Sequence, residues 1–257
     1  MNARRINRSR LVSFSGIDGA GKSTQIRSLC ARLEQEGFRV QLVAFWDDVA
    51  TLTGIREAAG HKVFRGDKGI GTPSAPINRR DKNVQSWPMT CLRLCLYLLD
   101  AMSMRLVVEK ALRSDADFVI FDRYNYDELA NLNLRNAAIR TYVRLILKLV
   151  PSPHVSFLLD ADPREARARK PEYPIEFLCA NRESYFRLSD LIGRITIISP
   201  MPAWEVSQRV LKHALNHLTF ESVPLSAPWL DDGGLAFEGD TPGATRTDRG
   251  QTRPAVS

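Results

Sequence analysis

The strongest chemical signal in the chain is the run Gly16-Ile17-Asp18-Gly19-Ala20-Gly21-Lys22-Ser23. It satisfies the spacing of a phosphate-binding loop, Gly-x-x-x-x-Gly-Lys-Ser. Glycines let successive backbone amides converge on phosphate oxygens at the start of a helix. Lys22 can then reach the β and γ phosphates, and the Ser23 hydroxyl can ligate Mg2+. A nucleoside triphosphate with magnesium is the ligand this chemistry suits. Asp122 closes the apolar run Phe118 to Phe121, where a carboxylate can hold the metal or its water beside the loop, and Arg123 follows it directly. A helix or turn cap is the alternative for Asp122, and a surface ion pair the alternative for Arg123.

Further along, Arg164, Arg167, Arg169 and Lys170 crowd positive charge behind Asp160-Ala161-Asp162-Pro163. A lid built there could neutralise charge on a phosphoryl group in transfer; a solvated helix face is the competing reading. Cys91 and Cys95 lie one helical turn apart, as do His213 and His217, but neither pair has a third ligand nearby. The thiols are expected to be buried and free, and the histidines to sit on the surface.

These residues need elements to position them. Leu11 to Ser15 is a strand signal that runs into the loop, and Lys22 to Glu36 continues at helical spacing through Ile26, Leu29, Cys30 and Leu33. Gly37 stops that helix, and Arg39 to Trp46 reads as a second strand. Trp87 to Arg113 predicts a long amphipathic helix with Leu92, Leu96, Leu99, Met102 and Leu106 on one side. The strand Phe118 to Phe121 follows, then helical spacing through Glu128 to Leu149 and the strand Val155 to Leu159. A helix from about Pro163, another to about Leu191, the strand Ile195 to Ile198 and a last helix to about Leu218 complete the alternation. The fold class expected is α/β, a doubly wound and mostly parallel five-stranded sheet with a P-loop and a lid segment. The divisions are a basic N-terminal arm at 1–10, one domain at 11–219 and a disordered tail at 220–257. Within the domain, a mobile loop is expected at about 60–86 and a lid at about 163–175.

The chain has 257 residues, and Lys plus Arg exceed Asp plus Glu by 36 against 29. Arg4, Arg5, Arg8 and Arg10 account for much of that excess, so the body is only mildly basic. Such a balance suits phosphate-rich small ligands and does not favour nucleic acid. No apolar run follows Met1 to Arg10, so a secretory signal is not expected, and no stretch nears the ~20 apolar residues that span a membrane. The expectation is a cytoplasmic protein without membrane contact, with a homodimer left open.

Phe14 to Thr24, reading FSGIDGAGKST, and Asp122-Arg123-Tyr124 resemble the phosphate loop and the Asp-Arg-aromatic motif of the thymidylate kinase family. The turn Asp160 to Pro163 with basic residues behind it also resembles that family's lid, so the likeness spans roughly Leu11 to Leu218. It implies ATP and Mg2+ as cofactors and transfer of the γ-phosphoryl group to a nucleoside monophosphate, most simply dTMP giving dTDP. The implied nucleotide cradle is Gly16, Ile17, Asp18, Gly19, Ala20, Gly21, Lys22, Ser23 and Thr24, with Ser23 and Asp122 on the metal. Lys22, Asp18, Arg123, Arg167 and Arg169 become the catalytic set, and Asp47, Arg105 and Tyr124 the contacts of a small-molecule acceptor.

The chain departs from the family pattern on the acceptor side. Asp47-Asp48-Val49-Ala50-Thr51 stands where the family shows Glu-Pro-Gly-Gly-Thr. The helical arginine of the family falls near Ala101, leaving Arg105 or Arg93, and Arg105 has a bland alternative as a pair with Glu109. Asp127, Ala130, Asn131 and Leu132 stand where the family continues as Ser-x-x-Ala-Tyr-Gln. Two other readings therefore remain: a kinase for another nucleotide, nucleoside or phosphorylated metabolite, and a non-catalytic nucleotide-binding regulator. Dependence of ADP release on an added acceptor separates them.

Overall fold

The computed structural model describes residues 9–50 and 87–216. The arm before Ser9, the loop expected at 60–86, Thr51, and the tail expected from 220 lie outside the described residues.

The chain opens with β1 (Arg10–Ser15) and α1 (Lys22–Gln35), followed by β2 (Val40–Ala44), which runs into a single π-helical turn at Phe45–Val49. α2 (Trp87–Leu112) leads to β3 (Phe118–Asp122), and the short α3 (Asn125–Leu129) is followed by α4 (Ala137–Leu149). The series closes with β4 (Val155–Leu159), α5 (Pro163–Arg169), α6 (Ile175–Ile192), β5 (Ile195–Ile198) and α7 (Ala203–Asn216). The strands form one sheet in the order β2-β3-β1-β4-β5. Each neighbouring pair is parallel, so the sheet is wholly rather than mostly parallel.

The strands are apolar on both faces because both faces are covered. Leu11, Val119, Phe121 and Leu158 point into a core completed by Met104, Val108, Val143 and Leu188 from α2, α4 and α6. Val12, Phe14, Phe118, Ile120, Phe157 and Leu159 point the other way, against Ile26, Leu29 and Leu33 of α1 and Val210 and Ala214 of α7. From β1 the chain first crosses to β3's side of the sheet and later to β4's, so a crevice opens at the carboxyl ends of β1, β3 and β4. The loop after β1, Asp122 and Asp160 all stand at that edge.

Four local expectations need correction. The second strand stops at Ala44, because Phe45 and Val49 turn into the core through the π-helical turn. The helical run from Glu128 to Leu149 is two helices: α3 ends after Leu129, and Asn136 caps α4 by accepting hydrogen bonds from the Ala138 and Ile139 amides. The leucine row on α2 is largely on the outside, with Leu92, Leu99, Met102 and Leu106 exposed. The buried face instead carries Arg93, Tyr97, Asp100, Ala101, Met104 and Val108, so a row of large apolar residues misidentified the inward side of a helix that is apolar nearly all round. Cys30, Cys91, Cys95 and Cys179 are free as expected, but Cys95 and Cys179 are exposed.

Candidate phosphoryl-transfer site

Backbone sterics demand glycine at two points of the phosphate loop. Gly16 has φ 143°, and a Cβ there would stand 2.5 Å from the Leu159 carbonyl oxygen. Gly19 has φ 87°, and a Cβ would meet the Ala166 carbonyl oxygen at 2.2 Å. The first contact presses the loop against β4; the second lets the lid helix α5 lie directly on it. Asp18 and Gly19 form the turn between them, closed by the Ala20 amide donating to the Ile17 carbonyl at 3.2 Å. Gly21 then begins α1 without a side-chain cap, and no acid occupies the first turn. That leaves the helix N-terminus and its positive end available to an anion.

Lys22 is buried, and its ammonium donates to the Gly16 and Ile17 carbonyls at 2.6 and 3.0 Å. Burial, with a lesser push from Arg123, drives its pKa down to about 8, although Asp18, Asp127 and Asp122 pull the other way. A phosphate arriving at the loop would give this ammonium the counter-charge it lacks. Ser23 is exposed on the first turn of α1, and Asp122 ends β3 in register with Phe14. These are hard oxygen donors of the kind Mg2+ takes alongside nucleotide phosphates, so the residues fit that ion. Thr24 lies beside Ser23 in the same turn, with its amide donating to the Gly21 carbonyl.

Arg123 stands at the centre of the polar network. It adopts the left-handed conformation (φ 72°), and its amide donates to the Phe14 carbonyl at 3.2 Å. Its guanidinium pairs with Asp18 on the loop and with Asp127 on α3, the latter at 3.4 Å. Burial alone would lower its pKa, but the two carboxylates more than offset this, so the guanidinium is held protonated more firmly than usual. Asp127 also accepts from the Ser15 hydroxyl at 2.6 Å, the Tyr185 hydroxyl at 2.8 Å and the Tyr124 amide at 3.4 Å.

The lid reaches this network through Lys170, whose ammonium lies 3.9 Å from Asp18 and 3.4 Å from the buried Glu172. Arg167 donates to the Tyr173 carbonyl, and Arg169 to the Glu165 carbonyl; both are exposed on α5. Behind the loop, Arg182 of α6 clamps Asp160 through two hydrogen bonds of 2.6 Å.

On the acceptor flank the expected residues are not brought together. Asp47 is exposed on the π-helical turn. Arg105 is exposed on α2, donating to Glu109 at 3.0 Å and to the Leu149 carbonyl at 3.3 Å, which is the bland pairing. Arg93 is buried on the inward face of the same helix. Tyr124 is a core residue, its ring against Phe121 and Tyr126 and its hydroxyl donating to the Pro151 carbonyl. Asn131 donates to the Asp127 carbonyl at 3.0 Å and accepts from Asn181 at 3.3 Å, while Leu132 is buried. The buried Asn125 has neither side-chain amide atom hydrogen-bonded.

Sequence reading missed Ser15 and Tyr185, and noted Asp127 only as a departure. Tyr185 lies on the buried row Leu178, Asn181, Tyr185, Leu188 of α6, where a tyrosine reads as core. Its hydroxyl becomes part of the site only because α6 packs beside α3.

No protein-family profile matches the chain. A probable thymidylate kinase of Methanosphaera stadtmanae is 24% identical over 208 residues, covering 79% of this chain and 96% of that protein. A thymidylate kinase of Chlorobium luteolum is 30% identical over 174 residues, 62% of this chain and 66% of that protein. The likeness to a Bradyrhizobium thymidylate kinase is denser but local, 66% identity over 35 residues and 16% of that protein's length. Among solved structures, a thymidylate kinase from Candida albicans superposes with a TM-score of 0.55 at 16% identity, over 84% of this chain and 96% of that one. Among the described residues, no helix is long and apolar enough to cross a membrane.

Proposed function

The chain belongs to the thymidylate kinase family, and on that premise we propose that it transfers the γ-phosphoryl group of ATP to a nucleoside monophosphate, dTMP first among them. The observation that carries this reading is the meeting of the phosphate loop, Asp122 and Arg123 in one crevice, with the lid resting on the loop.

The loop amides and Lys22 bind and orient the triphosphate; Ser23 and Asp122 would hold Mg2+, which supplies positive charge to the phosphates when bound. Arg123 stands where developing negative charge can be met, and Asp18, paired with it in the free protein, faces the same crevice from the loop. Lys170 brings lid charge to the same place, and Arg167 and Arg169 join it as the lid closes on substrate. No residue forms a covalent intermediate; positioning and charge neutralisation provide the rate. The acceptor meets the flank formed by α2, α3 and the π-helical turn, where Asp47 and the inward-facing Arg93 are the candidate contacts; of the family-derived set, Arg105 is paired outward with Glu109 and Tyr124 is buried in the core. We place the reaction in the cytoplasm, where ATP is supplied.

One observation favours an acceptor other than dTMP: Asn131 is engaged with Asn181 and Asp127, and Leu132 is buried. The second reading is thus a kinase of another monophosphate or phosphorylated small molecule. ADP formation with dTMP, dUMP, dCMP, dGMP and AMP, against a no-acceptor control, decides. Stimulation by dTMP supports the proposal; stimulation only by another of these monophosphates, or by none of them while a phosphorylated metabolite gives it, replaces it with the second reading.

For assembly we propose a homodimer. Leu92, Leu99, Met102 and Leu106 recur along the exposed side of α2 at the spacing of a helix-helix seam, a row that the same helix of a second copy can cover. Light scattering should return twice the chain mass, and Leu99→Glu with Leu106→Glu should return the monomer.

A further inference from the structure

Arg123 is the sole non-glycine residue with positive φ among the described residues. For a residue with a Cβ this conformation is strained and persists only where the surroundings over-determine it. The surroundings here are two carboxylates of unlike attachment. Asp18 rides on the turn of the phosphate loop and also faces Lys170 of the lid, so both its supports belong to parts that meet ligand. Asp127 is tied to the body of the domain through three elements: the Ser15 hydroxyl at the end of β1, the Tyr185 hydroxyl on α6 and the Tyr124 amide at the start of α3. The last bond is the returning half of a capping box, so Asp127 also fixes the helix that carries it. A serine in the thymidylate kinase pattern stands at this place; a serine hydroxyl offers no charge to a guanidinium.

We infer that Asp127 is a positioning residue for phosphoryl transfer: it is the permanent counter-ion that keeps Arg123 aimed at the phosphates, while Asp18 is the exchangeable one. The inference rests on the kinase reading of the site. When ligand draws Asp18 and Lys170 into new contacts, Arg123 loses one carboxylate and would swing if nothing else held it. Asp127 stays, because its partners Ser15 and Tyr185 belong to β1 and α6, outside both the turn that carries Asp18 and the lid that carries Lys170. Arg123 therefore meets developing charge without reorganising, which is where a preformed cation is most effective.

The test is a double-mutant cycle on the full chain, with ATP, Mg2+ and the best monophosphate acceptor. Asp127→Asn keeps the side-chain shape, and its amide nitrogen can donate to the Ser15 oxygen. It should lower kcat about 10-fold with the KM for ATP moved less than about 2-fold, because the loss falls on the transition state. In an Arg123→Ala background the same change should alter kcat less than about 2-fold, since nothing remains to position. An equal loss in both backgrounds, or an unchanged kcat in the first, overturns the inference. Asp127→Ser serves the same cycle should the asparagine variant fail to fold. A second arm needs no turnover: NMR of 15N-arginine-labelled protein with a non-hydrolysable ATP analogue and Mg2+. The Arg123 Nε–H should be ordered in the wild type and averaged in Asp127→Asn; equal order in both overturns the inference. A wild type that transfers to no acceptor yet shows this difference in order would sink the kinase reading alone.

Discussion

The phosphate loop and the acceptor flank lie on the same edge of one sheet but are held in different ways. At the loop, charged groups are clasped from several elements at once: Lys22 by two carbonyls, Arg123 by Asp18 and Asp127, and Asp127 by β1, α3 and α6. On the acceptor flank, Asp47 is exposed, Arg105 is paired with Glu109, and the hydroxyl of Tyr124 is engaged by Pro151. Neither side-chain amide atom of the buried Asn125 is hydrogen-bonded to another protein group. The contrast separates two properties that one site must provide. Preorganised charge sets the rate of transfer, whereas the flank sets which acceptor is chosen, and the family-derived polar groups there are turned to other partners or to solvent.

The largest expected effect falls on the clasped side. Lys22→Ala should reduce turnover by about 1,000-fold or more, as removal of a principal phosphate contact does, with the circular dichroism spectrum unchanged. Turnover within 10-fold of wild type would mean that the loop is not the donor site.

A smaller effect isolates the lid contact. Gly19→Ala places a Cβ 2.2 Å from the Ala166 carbonyl oxygen, at φ 87°, so lid and loop must separate. Gly37→Ala has nearly the same φ, 85°, but meets no atom within 4 Å. Both should pay the left-handed penalty of roughly 1 kcal/mol in thermal stability, and only Gly19→Ala should also lose activity, by about 10-fold or more. Equal activity in the two variants would remove the lid from the mechanism.

Smallest, and diagnostic of the same clasp, is a proton. The pKa of Lys22 is lowered to about 8 in the folded chain, so between pH 8 and its ordinary value near 10.5 the unfolded chain binds more protons. The contribution of Lys22 to stability therefore rises with pH through that window and is lost as pH falls through 8. ATP restores the counter-charge and should raise this pKa, so binding at pH 8.5 should take up a fraction of a proton. Calorimetry in buffers of different ionisation enthalpy reads that uptake, and Lys22→Met should abolish it; uptake unaffected by the substitution would place the titrating group elsewhere.

The same contrast explains what was legible in the sequence. Phosphate-loop geometry is local: Gly16, Gly19, Lys22 and Ser23 are close in the chain, and the strand before them and helix after them fix their directions, so pattern alone assigned them. The five strands and their alternation with helices were readable for the same reason, since strands buried on both faces are continuous apolar runs. What was not legible depends on packing between distant segments. The inward side of α2 was misread because its leucines stand mostly on the outer side, and Arg93 and Asp100 are buried while Leu99 and Leu106 are not. Tyr185 lies 58 residues from Asp127, and nothing in its own helix shows that its hydroxyl meets a carboxylate. The place of Lys170 at Asp18, with Arg167 and Arg169 turned outward, likewise follows from how α5 lies on Gly19.

The central claim is that the clasped charges serve transfer to a monophosphate, and its most direct test is the identity of the product. Phosphorus NMR of the protein with ATP, Mg2+ and dTMP should show dTDP and ADP growing in equal amounts, with little phosphate released. With Asn131 engaged by Asp127 and Asn181 and Leu132 buried, dUMP or AMP in place of dTMP should give its own diphosphate with kcat/KM within about 100-fold. ADP and free phosphate forming at the same rate with and without acceptor, and no nucleoside diphosphate from any monophosphate, would contradict the account.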